Sequence, residues 1–221
     1  MDLMEAIRAR HSVRQYENTP LTAEQKKALQ AEIDAINAES GLHIQLVTDE
    51  PKAFDSFMAH YGKFSGVTNY LALVGPKGDM LDETCGYYGE KLVLLAQQLG
   101  LNTCWVALTY KKVPGAFRVE KGEKLTLVIA LGVGKTQGSP HKSKSLEEVC
   151  AYEGEMPDWF RKGMEAVLLA PTAVNQQRFF FAGFGDAVSA VDAKSVCSKI
   201  DLGIAKCHFE IGAGKENFIW A

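Results

Sequence analysis

The sequence predicts an α+β chain in which helices flank a mixed central β-sheet. Three observations predict it. Helical and strand-like patterns alternate along the 221 residues. Two segments, NYLALVG (69–75) and KLTLVIALGVG (124–134), are apolar almost throughout, as strands covered on both faces are. Late in the chain, RFFFAGFGDAVSAV alternates around Gly185-Asp186, the signature of an antiparallel hairpin.

The elements follow in order. Residues 2–10 read as a short helix, with Met4, Ile7 and His11 at helical spacing. Thr22 and Gln25 form a capping box that opens an Ala/Glu/Lys/Gln-rich helix to about residue 38. LHIQLVTD (42–49) precedes the first apolar strand. A long helix then carries Leu92, Leu95, Ala96 and Leu99 on one face, with Val93 and Leu94 making it apolar nearly all round. Gly100 at its C′ position, followed by Leu101, closes it. NTCWVAL (102–108) is a short strand before the second apolar one. KTQGSPHKSKS (135–145) is polar and turn-rich, a surface loop or hinge whose Lys142 and Lys144 read as solvated. A helix at about 157–169, the hairpin, and a helix in KIDLGIAKCHFEIGA complete the chain.

The length fits one large domain or two small ones, and the expectation is a single domain, residues 1–221, with the 135–145 loop as a hinge between two halves. A net charge of −3 with both signs dispersed gives no basic field for nucleic acid or an anionic membrane. Five widely spaced cysteines, an odd number without C-x-x-C or zinc spacing, point to free thiols in a reducing compartment and to no metal site. No signal-peptide or membrane-spanning run is evident, so the expected location is the cytoplasm. Trp105, Trp220, His208 and Cys104 read as packing residues, and Gly132–Gly134 lacks the rest of a dinucleotide fingerprint.

One stretch stands apart. IRARHSVRQY (7–16) gathers three arginines, a histidine and a serine in a slightly acidic chain. Arginines in a last helical turn complement its dipole, which would account for some of this. An extended chain after the helix, however, would project Arg10, Ser12 and Arg14 to one side. Two planar guanidiniums and a hydroxyl on one face suit a phosphate.

The R-H-S-x-R run resembles the FMN-binding signature of the nitroreductase-like flavoprotein family. LLAPTAVNQQRFFF (168–181) is similar to that family's A-P-S-x-x-N-x-Q segment, and YYGEKLVLLAQQLGLNTCWVAL (87–108) to its long core helix, glycine turn and Trp-containing strand. The resemblance implies the nitroreductase fold and an FMN-dependent NAD(P)H oxidoreductase. NADH or NADPH would deliver hydride to flavin N5, and a nitroaromatic, quinone or similar small-molecule electron acceptor would then collect it. Arg10 would pair with the FMN phosphate, and Ser12 would bond phosphate or ribityl oxygens. His11 would pack or donate through its backbone, and Arg14 would lie near N1 and the C2 carbonyl. Val106, Ala107 and Leu108 would pass the ring edge, where a backbone N–H reaches N5. Pro171, Thr172, Ala173 and Asn175 would line ring and ribityl, and Lys63 would touch the pyrimidine edge or remain solvated. The flavin carries the chemistry, so no catalytic side chain is assigned. The family's two-fold flavin site implies a homodimer. Two departures stand out. About 160 residues separate Arg10 from Pro171, as in a rearranged subgroup that takes this element from its C-terminal half. The usual Q-P-W is Gln177-Arg178-Phe179, and no Glu-Gly pair sits at 107–108. A flavin-binding sensor or cofactor-handling protein without turnover, or a scaffold that has lost FMN, would carry the same marks.

Overall fold

A computed structural model describes all 221 residues. The chain forms two compact units. One comprises Ala9–Leu81 and Leu92–Ser139, the other Met1–Arg8, Asp82–Lys91 and Pro140–Ala221. A boundary thus falls at Ser139/Pro140, inside the polar 135–145 segment. The helices are α1 (Leu3–Ala9), α2 (Ala23–Ser40), α3 (Phe57–Tyr61), α4 (Leu81–Gln98), α5 (Leu146–Val149), α6 (Asp158–Val167) and α7 (Ser198–Ala213). The strands are β1 (Gln45–Val47), β2 (Asn69–Pro76), β3 (Asn102–Val106), β4 (Glu123–Gly132), β5 (Cys150–Tyr152), β6 (Phe179–Phe184), β7 (Ala187–Asp192) and β8 (Ile219–Trp220).

The first unit is built on an antiparallel sheet of order β1-β2-β4-β3. β2 is buried from Asn69 to Gly75, because the period-2 pleat sends alternate side chains into two apolar layers. Tyr70, Ala72 and Val74 join Val13, Tyr16, Phe54, Phe64, Cys104, Val128 and Ala130 on one face. On the other, Leu131 packs with Leu21, Leu29, Ala96 and Leu101. α2 starts at the capping box: Thr22 Oγ1 accepts the Gln25 N–H, and Gln25 Oε1 accepts the Thr22 N–H. It stops at Gly41 in the left-handed region. Leu29, Ile33 and Ile36 are fully buried along one stripe, each contributing about 1.5–3 kcal/mol of transfer free energy.

The second unit holds a mixed sheet of order β5-β6-β7-β8. The hairpin β6–β7 turns at Gly185-Asp186 and is antiparallel, while β5 and β8 join its edges in parallel. Phe160, Phe181, Phe209 and Phe218 interlock over it, flanked by Trp159 and Trp220. α7 is buried nearly all round. Glycines let its backbone touch its neighbours. A Cβ on Gly203 would collide with the Glu83 carbonyl, and one on Gly86 with that of Ile200. His208 and Glu90 are fully buried beside this crossing, with Nε2 2.9 Å from Glu90 Oε1 and Nδ1 2.9 Å from the Ala166 carbonyl.

The α+β class with helix-flanked sheets is as the sequence predicts, but one mixed sheet becomes two, and only the later one is mixed. The added strands are short edge pieces, three residues in β5 and two in β8, too brief to show a period. No helix is long and apolar enough to cross a membrane.

Candidate functional site

In the first unit the cationic segment is fixed by backbone pairing. After α1 the chain extends, Ser12 bridges Thr103 in parallel, and the Val13 N–H donates to the Thr103 carbonyl at 3.0 Å. Tyr16 anchors the far end. Its hydroxyl donates to the Val13 carbonyl at 2.7 Å, and its burial pushes the phenol well above its ordinary range. From the other side, Gly138 takes a positive φ and lies so close that a Cβ would press on His11 and the Ser12 carbonyl. Asn102 ties this loop down, accepting the Gly134 N–H and donating to Gln137 Oε1 at 3.1 Å. His11 Nδ1 lies 3.3 Å from the Gln137 carbonyl.

The thiol of Cys104 on β3 is within electrostatic reach of the Arg10, Ser12 and Arg14 segment. Burial pushes that thiol up, while Arg14, a hydrogen bond from Ser12 and Arg10 pull it the other way. Arg10 is only 3% exposed, and its Nε–H is a buried donor that makes no hydrogen bond, although the residue interacts elsewhere. Arg14 lies at the surface. Cys104 itself is buried, as a small apolar residue would be.

β3 ends at Val106, which is buried, and Ala107 and Leu108 emerge beyond it, Leu108 to 75% exposure. Lys63 is exposed at the end of α3, with φ +63 and its N–H on the His60 carbonyl.

In the second unit Pro171–Asn175 form a strained loop. Val174, Asn175 and Gln177 have φ of +46, +55 and +44, a region that asparagine tolerates but that is strained for valine and glutamine. Such residues cost about 1–3 kcal/mol each and persist where the surroundings over-determine them. Here they do. The Ala173 N–H donates to both Asp201 oxygens (3.0 and 3.2 Å), and Gln176 Nε2 donates to Asp201 Oδ2 at 2.7 Å. The Gln177 N–H donates to Thr172 Oγ1, and the buried Gln177 amide donates to the Leu168 carbonyl. Asn175 Nδ2 donates to the Lys142 carbonyl at 2.8 Å. Lys144 is not solvated: its Nζ donates to the Gln177 carbonyl and its N–H to Gln177 Oε1, both at 2.8 Å. Its place in a polar, turn-rich run hid that role. Val174 at the loop tip is 95% exposed.

Sequence reasoning missed Asp201, Gln176, Gln177, Asn102 and Gln137. The acidic residue in Lys199-Ile200-Asp201-Leu202 was the available signal. An acid in the first turn of a helix, set between Ile200, Leu202 and Ile204, invites the question of what it faces.

Residues 2–213 match the family model described as "Putative TM nitroreductase". A solved structure of a "putative nitroreductase" from Thermotoga maritima is 22% identical, the match covering 98% of this chain and 85% of that one, with a TM-score of 0.69. A "putative nitroreductase in complex with fmn" from Desulfovibrio desulfuricans is 18% identical over 71% of this chain and 99% of that one, TM-score 0.54. One from Parabacteroides distasonis, a "Putative NADH dehydrogenase/NAD(P)H nitroreductase", is 21% identical over 69% and 98%, TM-score 0.53. Comparison with curated proteins finds no match. With the family model spanning all but the first residue and the last eight, and the fold shared with these structures, this chain belongs to the nitroreductase family that the model describes.

Proposed function

We propose that the protein is an FMN-dependent oxidoreductase that takes electrons from NADH or NADPH and passes them to a nitroaromatic, quinone or similarly electron-poor acceptor. The observation that carries this reading is the R-H-S-x-R segment itself, pinned by backbone pairing to β3 with Arg10 buried, in a chain of the nitroreductase family. The donor set fits the cofactor: guanidinium forks and a hydroxyl suit a phosphate monoester, and a backbone pinned on both sides holds them ready. The FMN bound by the Desulfovibrio desulfuricans relative supports it.

In this reading Arg10 neutralises the phosphate and Ser12 donates to a phosphate or ribityl oxygen, with His11 packing alongside. Arg14 places positive charge at the N1 and C2-carbonyl edge, where reduction leaves negative charge, and so favours the reduced cofactor. The chain after Val106, through Ala107 and Leu108, offers backbone N–H to N5, and its exposure leaves room for a stacked partner. Lys63 meets the pyrimidine edge. Pro171, Thr172, Ala173 and Asn175 line ring and ribityl with backbone groups. Bound FMN supplies the hydride relay, and the protein supplies position and charge. The reductant leaves before the acceptor enters, giving ping-pong kinetics. The protein works as a homodimer, and its free thiols suit the cytoplasm.

Steady-state oxidation of NADH and NADPH by the FMN-loaded protein, with menadione or a nitroaromatic as acceptor, tests the reading. Turnover dependent on both FMN and acceptor is expected. A flavin-loaded protein without turnover would overturn it in favour of a sensor or cofactor handler.

A further inference from the structure

Asp201 sits where no catalytic or cofactor role reaches it. It lies four residues into α7, is 3% exposed, and its own N–H closes the ordinary helical bond to the Cys197 carbonyl. The side chain turns away from its helix and takes three contacts from the loop: two from the Ala173 N–H and one from the Gln176 amide. Those donors bracket the turn of positive-φ residues, Ala173 before it and Gln176 within it.

We propose that Asp201 is the positioning residue of the flavin-lining loop: its carboxylate holds Ala173 and Gln176 and thereby keeps Pro171–Asn175 in the strained shape that presents backbone groups to the cofactor. The proposal rests on the reading that this loop lines FMN. The Gln176 amide has no freedom to adapt. Its Nε2 also donates to the Val196 carbonyl at 2.9 Å, and its Oε1 accepts the Ser195 hydroxyl at 2.8 Å. If Asp201 takes up a proton on Oδ2, the Gln176 N–H that pointed there faces a neutral and much weaker acceptor, and a flip would break the other two bonds.

The charges around Asp201 do not replace this role. Burial pushes its carboxyl up to about 6, against the Gln176 and Ala173 hydrogen bonds, with no cation contributing. The loop from Thr172 to Gln177 carries no charge. At the N-cap of α7 the Cys197 thiol is pushed up by burial, Asp201 and Asp82 and so kept protonated. Lys194, Lys199 and Asp192 line the surface cleft at this end of the helix with Asp82 and Cys197. Asp192 is engaged by the Ser198 hydroxyl at 2.5 Å.

The test is FMN affinity, by flavin fluorescence titration, of the wild type and Asp201→Asn between about pH 5 and 7.5. Titration of the FMN phosphate is common to both proteins and cancels in the ratio of dissociation constants. The expected ratio is about tenfold in favour of the wild type at the upper end, where the carboxylate is charged, falling towards one at the lower end, where both side chains are neutral. A ratio of one throughout, or one that does not change with pH, would overturn the proposal. Should Asp201→Asn not fold, Gln176→Leu takes its place in the same titration at the upper pH, and unaltered affinity overturns the proposal there. The Ala173 amide resonance of the cofactor-free wild type should titrate with a midpoint near 6, and a flat resonance also overturns it. A wild type that binds no FMN defeats the functional reading instead, leaving the amide titration to decide whether Asp201 holds the loop.

Discussion

Replacing Asp201 by asparagine should change how stability depends on pH, in a direction opposite to that of most carboxylates. The folded protein holds this carboxyl at about 6 against an ordinary 3.8, because burial penalises the charge. At 1.36 kcal/mol per pH unit, the ionised group costs the fold about 3 kcal/mol. Because the folded value is raised, the group's contribution is fully favourable below 3.8 and is lost as pH rises through 6. The wild type therefore loses ground to the variant on going from acid to neutral pH. Urea unfolding of both proteins at about pH 4.5 and 7 gives the magnitude. The variant's stability relative to the wild type should rise by about 2 kcal/mol across that interval, the remaining part lying below it. Other carboxylates titrate equally in the two proteins and drop out of the comparison. An equal stability difference at both pH values, or one that shrinks on raising pH, would refute the reasoning. A carboxylate kept buried at such a cost, gripping a strained loop, is what a stability–function trade-off produces.

The buried pair on α4 and α7 gives two further expectations. His208 Nδ1 faces a carbonyl, which can only accept, so Nδ1 carries a proton and Nε2 shares one with Glu90. His208→Leu strips the imidazole from a carboxyl with no solvent contact and should cost about 3–5 kcal/mol in urea unfolding. Glu90→Gln keeps a group of the same shape that can donate to Nε2 and should cost about 1–2 kcal/mol. Equal losses in the two variants would contradict this proton accounting.

Local rules made much of the fold legible in the sequence. The Thr22/Gln25 capping box and the Gly185-Asp186 turn are signals of a few residues, and the structure has them at those positions. So is Gly100, which takes φ +75 after α4. β2 and β4 were readable because burial on both faces leaves an unbroken apolar run. The division into two sheets was not, since β5 and β8 gain their strand geometry from pairing with the hairpin and not from their own composition. The extended backbone after α1 was legible for the same local reason as the hairpin, and Ser12 pairs with Thr103 there. What holds the 171–177 loop was hidden, because Lys144 and Asp201 meet it from 25 or more residues away, partly through main-chain atoms that no side-chain pattern records.

The central claim is that the arginine segment binds a flavin phosphate. Flavin fluorescence titration of the wild type beside Arg10→Ala measures it most directly. The wild type should bind FMN and colour the protein yellow, and the variant should bind about ten- to a hundredfold more weakly, the loss of about 1.5–3 kcal/mol expected for a charge-assisted contact. Equal affinity in the two proteins, or a wild type that stays colourless with added FMN, would contradict the account.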